Sequence, residues 1–251
     1  MGIRRRWAFR SPRRRGGRRR RNSRRYLALV GIGVALVILA AGALILRPGS
    51  TGTTSASEKP IILYINQGNG AVNETNFGSM LSFSETHGFN TIFFQVYREG
   101  VLLFQPSQLI AFVAQAHGQG LRIYFALYFT NSSQAVPSSV FPLGEDGISL
   151  DMSTLSLSAQ TSLLSAVELG FQTGQVAITT TDFTLPLKPD LLVFETYGSQ
   201  DQSYIRPGII GSVGVFATTS QADYQQQYQY ALQNSDGVMV FDYAGLMKSG
   251  Y

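Results

Sequence analysis

Eight short apolar runs, rich in Ile, Val, Phe and Tyr, recur between residue 61 and the end of the chain. They are nearly continuous in apolar character, which is typical of parallel strands that are covered on both faces. The runs are Ile61 to Asn66, Thr91 to Tyr97, Leu121 to Tyr128, Gly147 to Asp151, Gln175 to Thr181, Leu191 to Tyr197, Ile209 to Thr218 and Gly237 to Tyr243. Eight such strands predict a compact (β/α)8 TIM-barrel-like domain.

Segments with helical spacing separate several of these runs. Phe77, Met80 and Leu81 share one helical face, and a second apolar face lies around Leu109 and Phe112. No helical pattern is visible in residues 129–146 or 182–190. An incomplete barrel or an open α/β sheet is therefore the alternative to a complete barrel.

Thirteen arginines and no acidic residue lie between Met1 and Arg25, directly before the 21 uncharged residues from Tyr26 to Leu46. As a helix with a rise of about 1.5 Å per residue, this stretch would span the roughly 30 Å hydrocarbon core of a bilayer. The positive-inside rule then predicts a cytoplasmic Arg-rich tail (1–25) that contacts lipid headgroups, and a single transmembrane helix (26–46). Residues 47–60 predict a flexible linker to an extracytoplasmic domain, 61–251, held at the cell membrane.

A cleaved export signal is the alternative to a retained anchor. Residues 23–27 resemble the twin-arginine export motif, and residues 40–43 offer small side chains for cleavage. Nucleic acid is not an expected partner of the tail, because Trp7 and Phe9 are its only aromatic residues before the anchor.

The formal net charge of +5 combines two oppositely charged parts. From Pro48 onward there are six basic and fifteen acidic residues, so the folded part carries a net charge of −9.

The chain has no cysteine, which excludes disulfides and thiolate metal sites. His87 and His117 precede glycines and predict helix ends rather than metal ligands. We therefore expect no metal and no other cofactor.

One part of the sequence resembles a known family. The stretch from His87 to Ser107 is similar to the GFNTVFFQVRPxGDxLYPS pattern of the glycosyl-hydrolase-like (β/α)8-barrel family, residues 116–124 to its AHxxGIxxHAW segment, and residues 146–151 to its DGIHLDD motif. The resemblance covers about residues 85–151. This chain departs from the pattern at Met152, where the family has a second Asp, and at Tyr97-Arg98, where it has Arg-Pro. The resemblance implies a barrel that hydrolyses glycosidic bonds.

Functional side chains of such barrels collect at the C-terminal ends of the strands. Glycoside hydrolysis needs two carboxyl groups there, one protonated and one ionised. The strand ends offer Asp151, Glu195 and Asp242 as catalytic candidates, with Asp182 ranked last; their acid and base roles stay open, because burial sets their pKa values. The residues predicted to bind substrate are Gln95, Tyr97, Arg98, Tyr128, Tyr197 and Tyr243. A carboxylate directly after a strand is equally common as a helix cap or turn former.

Two functions remain open at this stage. The first is a membrane-anchored glycoside hydrolase that acts on envelope or extracellular polysaccharide. The second is a non-catalytic surface domain, on a degenerate barrel, that binds glycan or has a structural role in the envelope. Lipid and polysaccharide are the expected partners in both cases, and the spatial arrangement of the carboxylates discriminates between the two.

Overall fold

The computed structural model describes residues 58–67, 72–197 and 201–250 of the chain. The predicted tail, transmembrane helix and most of the predicted linker lie outside these residues. Within the described part, no helix combines the length and the apolar character needed to cross a bilayer.

Each of the eight predicted runs contains a strand, and one short extra strand follows the second. In chain order the elements are β1 (Ile61–Ile65), α1 (Phe77–Thr86), β2 (Thr91–Arg98), β3 (Val101–Leu102), α2 (Pro106–Gly118), β4 (Arg122–Tyr128), β5 (Gly147–Asp151), α3 (Leu157–Gly170), β6 (Gln175–Thr180), β7 (Leu191–Phe194), β8 (Ile210–Gly214), α4 (Gln221–Asn234), β9 (Gly237–Phe241) and α5 (Tyr243–Ser249).

The sheet is closed. The strand order is β1-β9-β8-β7-β6-β5-β4-β2-β3, and β1 also pairs with β2, so eight parallel strands form a complete barrel with β3 as an antiparallel extension. The open-sheet alternative is therefore wrong, and the prediction of a compact TIM-barrel-like fold is confirmed for the described residues.

The helical layer is incomplete at the two places that the sequence predicts and at a third that it does not predict. In residues 129–146 the connection contains only a 3-10 turn, Ser138–Val140, and residues 181–190 contain no helix. The described part of the connection from β7 to β8 likewise has only a 3-10 turn, Asp201–Tyr204. Short connections without helices explain how eight strands fit into fewer residues than such barrels usually use.

Two apolar layers follow from the alternation of side chains along each strand. One layer packs the barrel wall against the helices and loops. The other fills the barrel interior and consists of Ile62, Tyr64, Phe93, Tyr124, Ala126, Ala177, Val193, Ile210 and Met239. Gly147 belongs to the inward-facing set of β5, and a Cβ there would collide with the ring of Tyr124. The filled interior leaves room for function only above it, at the C-terminal ends of the strands.

Candidate active site

A cavity of about 210 Å³ opens above the interior core, and we call it the barrel-mouth cavity. Its walls come from six of the eight barrel strands or from the residues that directly follow them. The lining residues are Tyr64, Asn66, Gln95, Arg98, Tyr128, Asp151, Glu195, Tyr197 and Phe241. Six of these nine belong to the site predicted from the sequence.

Asp151 is the last residue of β5 and shares its inward orientation with Ser149 two residues earlier. Burial, and to a smaller extent the negative charge of Glu195, raise the pKa of the Asp151 carboxyl to about 8. A carboxyl with this pKa holds its proton at neutral pH. Asp151 is therefore a proton donor at the floor of the cavity.

Glu195 follows β7 directly and continues the inward-facing series of Leu191 and Val193. Burial raises its pKa, but the hydroxyl of Tyr197 donates a hydrogen bond of 3.0 Å to its Oε1, which lowers the pKa and opposes the effect of burial. Glu195 is thus the member of the pair that ionises first, and its negative charge is one reason why Asp151 stays protonated.

The cavity wall opposite β7 is built by β1 and β2. Tyr64 is buried, and burial together with the charges of Asp151 and Glu195 raises the pKa of its hydroxyl well above the usual value, so it stays neutral. Gln95 forms a side-chain hydrogen bond with Tyr64, and its Oε1 accepts a 2.9 Å hydrogen bond from the backbone N–H of Gln67. These contacts hold neutral hydrogen-bonding groups beside the two carboxyls.

An irregularity in β2 decides which of its last residues reaches the cavity. The register with β4 shifts between Gln95 and Tyr97, which marks a β-bulge. Arg98 consequently lines the cavity, with its guanidinium carbon 5.6 Å from the centre of the Tyr128 ring. Tyr97 lies in the outer core against Phe129, and its hydroxyl donates to the backbone oxygen of Ala135 at 3.1 Å. Tyr97 therefore does not line the barrel-mouth cavity.

The end of β9 also departs from the prediction. Asp242 does not line the barrel-mouth cavity; it caps α5 and accepts a 2.8 Å hydrogen bond from the backbone N–H of Gly245. Tyr243 begins α5 and packs edge-on against the ring of Phe83 in the outer core. The physical reason is that β9 ends at Phe241, whose ring faces inward, so Asp242 has the outward orientation and the chain then turns into a helix.

One other carboxylate and one departure from the family pattern also lie outside the barrel-mouth cavity. Asp182 is exposed, accepts hydrogen bonds from the backbone N–H and hydroxyl of Thr184, and has a pKa lowered by them. Met152 is buried in the outer core, so the position after Asp151 contributes no group to the cavity. The described residues contain no group of three or more His, Asp and Glu side chains arranged to hold a metal ion.

Sequence reasoning missed Tyr64 and Phe241, which form part of the cavity wall, and did not commit to Asn66. The sequence contains a spacing pattern that indicates the inward orientation of all three residues. In β1, Ile62, Tyr64 and Asn66 are spaced by two residues, as are Met239 and Phe241 in β9, and such spacing assigns residues to one face of a strand.

The sequence matches no family model and no curated protein. Solved structures do match. The GH113 β-mannanase AaManA of Alicyclobacillus acidocaldarius superposes with a TM-score of 0.52 at 9% identity, over 73% of this chain and 86% of that one. CpGH84B gives 0.53 at 9% identity over 72% of this chain, which spans only 44% of that larger protein. The Bacillus cereus spore cortex-lytic enzyme SleL gives 0.50 at 9% identity, over 76% of this chain and 74% of that one.

The domain has a glycoside-hydrolase-like (β/α)8 fold. Identities of 9% establish this likeness of fold alone. A shared fold does not establish activity, because function depends on the residues of the cavity itself.

Proposed function

We propose that this domain is a glycoside hydrolase in which Asp151 is the general acid and Glu195 is the nucleophile or the general base. One observation carries the proposal: the two carboxyl groups line a single cavity, and burial together with the charge of Glu195 raises the pKa of Asp151 to about 8, so that Asp151 keeps its proton after Glu195 has ionised. Environments that push two carboxyl pKa values apart are how acid and base roles are divided in such enzymes.

The reaction follows from these states. The protonated Asp151 donates its proton to the glycosidic oxygen as the bond between that oxygen and the anomeric carbon breaks. The carboxylate of Glu195 either attacks the anomeric carbon itself or removes a proton from an attacking water. In both cases one water is consumed and both carboxyl groups return to their initial states. The hydroxyl of Tyr197 stabilises the ionised form of Glu195 and fixes its orientation.

The remaining walls suit a sugar ring. Tyr64, Tyr128 and Phe241 present aromatic surface to the cavity, and the apolar faces of a pyranose pack on such rings. Gln95 and Asn66 add amide groups that can bind sugar hydroxyls. Arg98 is held over the Tyr128 ring by a cation–π contact and supplies a fixed positive charge at the mouth.

We place the substrate among polysaccharides of the envelope or the extracellular space. Residues 26–46 support a membrane tether by their length and lack of charge, and the arginines before them support an extracytoplasmic domain. AaManA, a β-mannanase, and SleL, a spore cortex-lytic enzyme, are barrels of the same fold, which supports a glycan substrate. Externally added protease that leaves the domain intact on whole cells would contradict this location.

A non-catalytic glycan-binding domain is the second candidate. The observation in its favour is the volume of about 210 Å³, below the roughly 300 to 1,000 Å³ usual for ligand pockets. A cavity this small holds about one sugar ring, which is enough for recognition without an extended cleft.

A polysaccharide panel tests the two candidates. The full-length chain, purified in detergent, is incubated with each polymer, and new reducing ends and bound polymer are both measured. We expect release that Glu195→Gln lowers by about 1,000-fold, because the ionised group acts directly on the reacting carbon. Glu168→Gln, an exposed helix position outside the cavity, is the matched control. Polymer binding by the wild type with no release from any polymer would overturn the hydrolase and favour the second candidate.

A further inference from the structure

A second, larger cavity adjoins the barrel mouth, and we call it the β8–α5 cavity. It measures about 680 Å³ and shares two wall residues, Asn66 and Phe241, with the barrel-mouth cavity. The rest of its wall comes from the loop after β8 and from α5 with the residue before it: Val215, Phe216, Ala217, Thr219, Asp242, Ala244, Gly245, Lys248 and Ser249. A molecule that extends out of the barrel mouth past Phe241 enters this second cavity.

The two cavities differ in how much of a polymer each can hold. About 210 Å³ is too little for more than about one sugar ring, whereas about 680 Å³ lies within the usual range of ligand pockets. A polymer whose bond is cleaved at Asp151 and Glu195 must continue on at least one side of the barrel mouth. Phe241 and Asn66 line both cavities, so the β8–α5 cavity adjoins the barrel mouth from which such a polymer must emerge.

Phe216 is an aromatic residue of the β8–α5 cavity wall. Its side chain is 42% exposed, which is unusual for a ring held in an aromatic cluster. The ring centre lies 5.5 Å from that of Tyr197 and 6.2 Å from that of Phe241. It occupies the space above Gly214, where a Cβ would collide with it, and the backbone N–H of Phe216 donates to Thr219 Oγ1 at 3.1 Å. An exposed ring fixed in this way is a platform on which a sugar can stack.

The charge distribution adds a second, independent feature. The described residues carry six basic and fifteen acidic side chains, and the two cavities contain two of the bases, Arg98 and Lys248, and three of the acids. Because Asp151 is protonated at neutral pH, the groups that line the two cavities sum to zero; counting Glu99, which pairs with Arg98 at 3.5 Å, this face carries −1, whereas the remaining four bases and eleven acids of the domain carry −7. Electrostatic repulsion of an anionic polymer is therefore weakest here.

Lys248 is free to meet such a polymer. It lies in the last turn of α5, is exposed, and has no carboxylate within ion-pair distance among the described residues. Asp242 feels its charge, but the Asp242 carboxylate is occupied by the backbone N–H of Gly245 at 2.8 Å. The ammonium group thus borders the cavity without a competing salt bridge.

We infer that the β8–α5 cavity is a substrate subsite that binds a carboxylate-bearing sugar, with Phe216 stacking on the ring and Lys248 pairing with the carboxylate. The inference rests on the proposed glycoside hydrolase activity and assigns its substrate to anionic, uronic-acid-type polysaccharides.

The test measures binding separately from cleavage. Oligosaccharides of hyaluronan, alginate and polygalacturonate, each beside its carboxyl-reduced neutral form, are titrated into the full-length Glu195→Gln chain at low salt by calorimetry. We expect at least one acidic form to bind more tightly than its neutral partner. Lys248→Met should weaken the acidic form by about threefold to fivefold, as for an exposed ion pair, and leave the neutral form unchanged. Phe216→Ala should weaken both forms by about fivefold to tenfold, and Phe216→Tyr should restore them.

Matched controls are Arg122→Met, an exposed base at the opposite end of the barrel, and Leu169→Ala, an exposed apolar residue on α3; neither should change binding. Equal binding of acidic and neutral forms, no binding to any of them, or a preference that Lys248→Met leaves intact overturns the inference. If reducing ends were released from neutral polymers only, the proposed acidic subsite would be wrong and the proposed hydrolase activity would be supported. If binding depended on Lys248 but the wild type released no reducing ends, the acidic subsite would be supported and the hydrolase activity would be wrong.

Discussion

The four carboxylates considered as catalytic candidates lie at or just after the C-terminal ends of strands, yet they divide into two pairs with different surroundings. Asp151 and Glu195 line the barrel-mouth cavity, and burial raises the pKa of both. Asp182 and Asp242 accept hydrogen bonds from the backbone just beyond them, in a turn and at a helix start. The first pair continues the inward-facing series of its strands, and the second has the outward orientation. A difference of one residue in position along a strand therefore separates a carboxyl group that lines the cavity from one that accepts backbone hydrogen bonds in a turn or at a helix start.

The largest expected effect concerns Asp151 as the acid of the inward pair. Asp151→Asn should lower release from polysaccharide by about 100-fold to 1,000-fold, since no proton reaches the leaving oxygen. Aryl glycosides with activated leaving groups need no such proton and should lose much less. Comparing the two substrate types in wild type and variant checks this. An equal loss on both would show that Asp151 is not the acid, and Asp182→Asn, from the outward pair, should change neither.

The same residue should dominate the dependence of activity and stability on pH. Wild-type activity should fall as the pH rises through about 8, where Asp151 loses its proton. Because the folded pKa lies above the unfolded one, the folded state holds this proton more tightly, and its contribution to stability is complete at low pH and is lost as the pH rises towards about 8.

Asp151→Asn removes the ionisation that lowers the stability of the wild type as the pH rises. The variant should be more stable than the wild type by a few kcal/mol at about pH 9, with the difference disappearing near pH 4. Urea denaturation at the two pH values measures it. Asp182, whose pKa is lowered, has the opposite sign: it stabilises above its unfolded pKa and loses this effect as the pH falls. A stability gain in Asp182→Asn at alkaline pH would break the comparison.

For the outward pair we expect structural effects only. Asp242→Ala removes the N-cap of α5 and should lower the free energy of unfolding by about 1 kcal/mol. Because Asp242 lines the β8–α5 cavity and not the barrel mouth, cleavage of a neutral polymer per folded molecule should stay within about twofold of the wild type. Asp242→Asn, which keeps an acceptor for Gly245, should recover most of the stability. Abolished cleavage in a folded Asp242→Asn protein would return this residue to the catalytic group.

The smallest effect should come from Tyr197→Phe. The change removes the hydrogen bond to Glu195 while keeping the ring, so the pKa of Glu195 should rise. The acidic limb of the pH–activity profile should move to higher pH, and the alkaline limb should stay in place. A displacement of both limbs together would mean that Tyr197 acts on the pair by packing rather than through this hydrogen bond.

The residues at the ends of β2 and β4 also divide into inward-facing and outward-facing side chains. They show where a prediction from the sequence pattern fails. Gln95 and Tyr128 are predicted from their positions at the ends of β2 and β4; both line the barrel-mouth cavity, in agreement with the alternation of each strand. Tyr97 follows the same alternation, and only the bulge after Gln95 turns it outward and brings Arg98 in. The bulge depends on how β2 pairs with β4, so the local sequence of β2 does not predict it.

Local sequence determined the eight strands, the two connections without helices and the candidate status of Asp151 and Glu195, because apolar runs and their spacing act over a few residues. Tertiary structure decided that the sheet closes through the pairing of β1 with β2, and which strand-end side chains face inward. It also decided that Asp151 is the protonated member of the pair. The physical reason is that a pKa is set by the desolvation and the charges that surround a group, and those neighbours come from strands far apart in the chain.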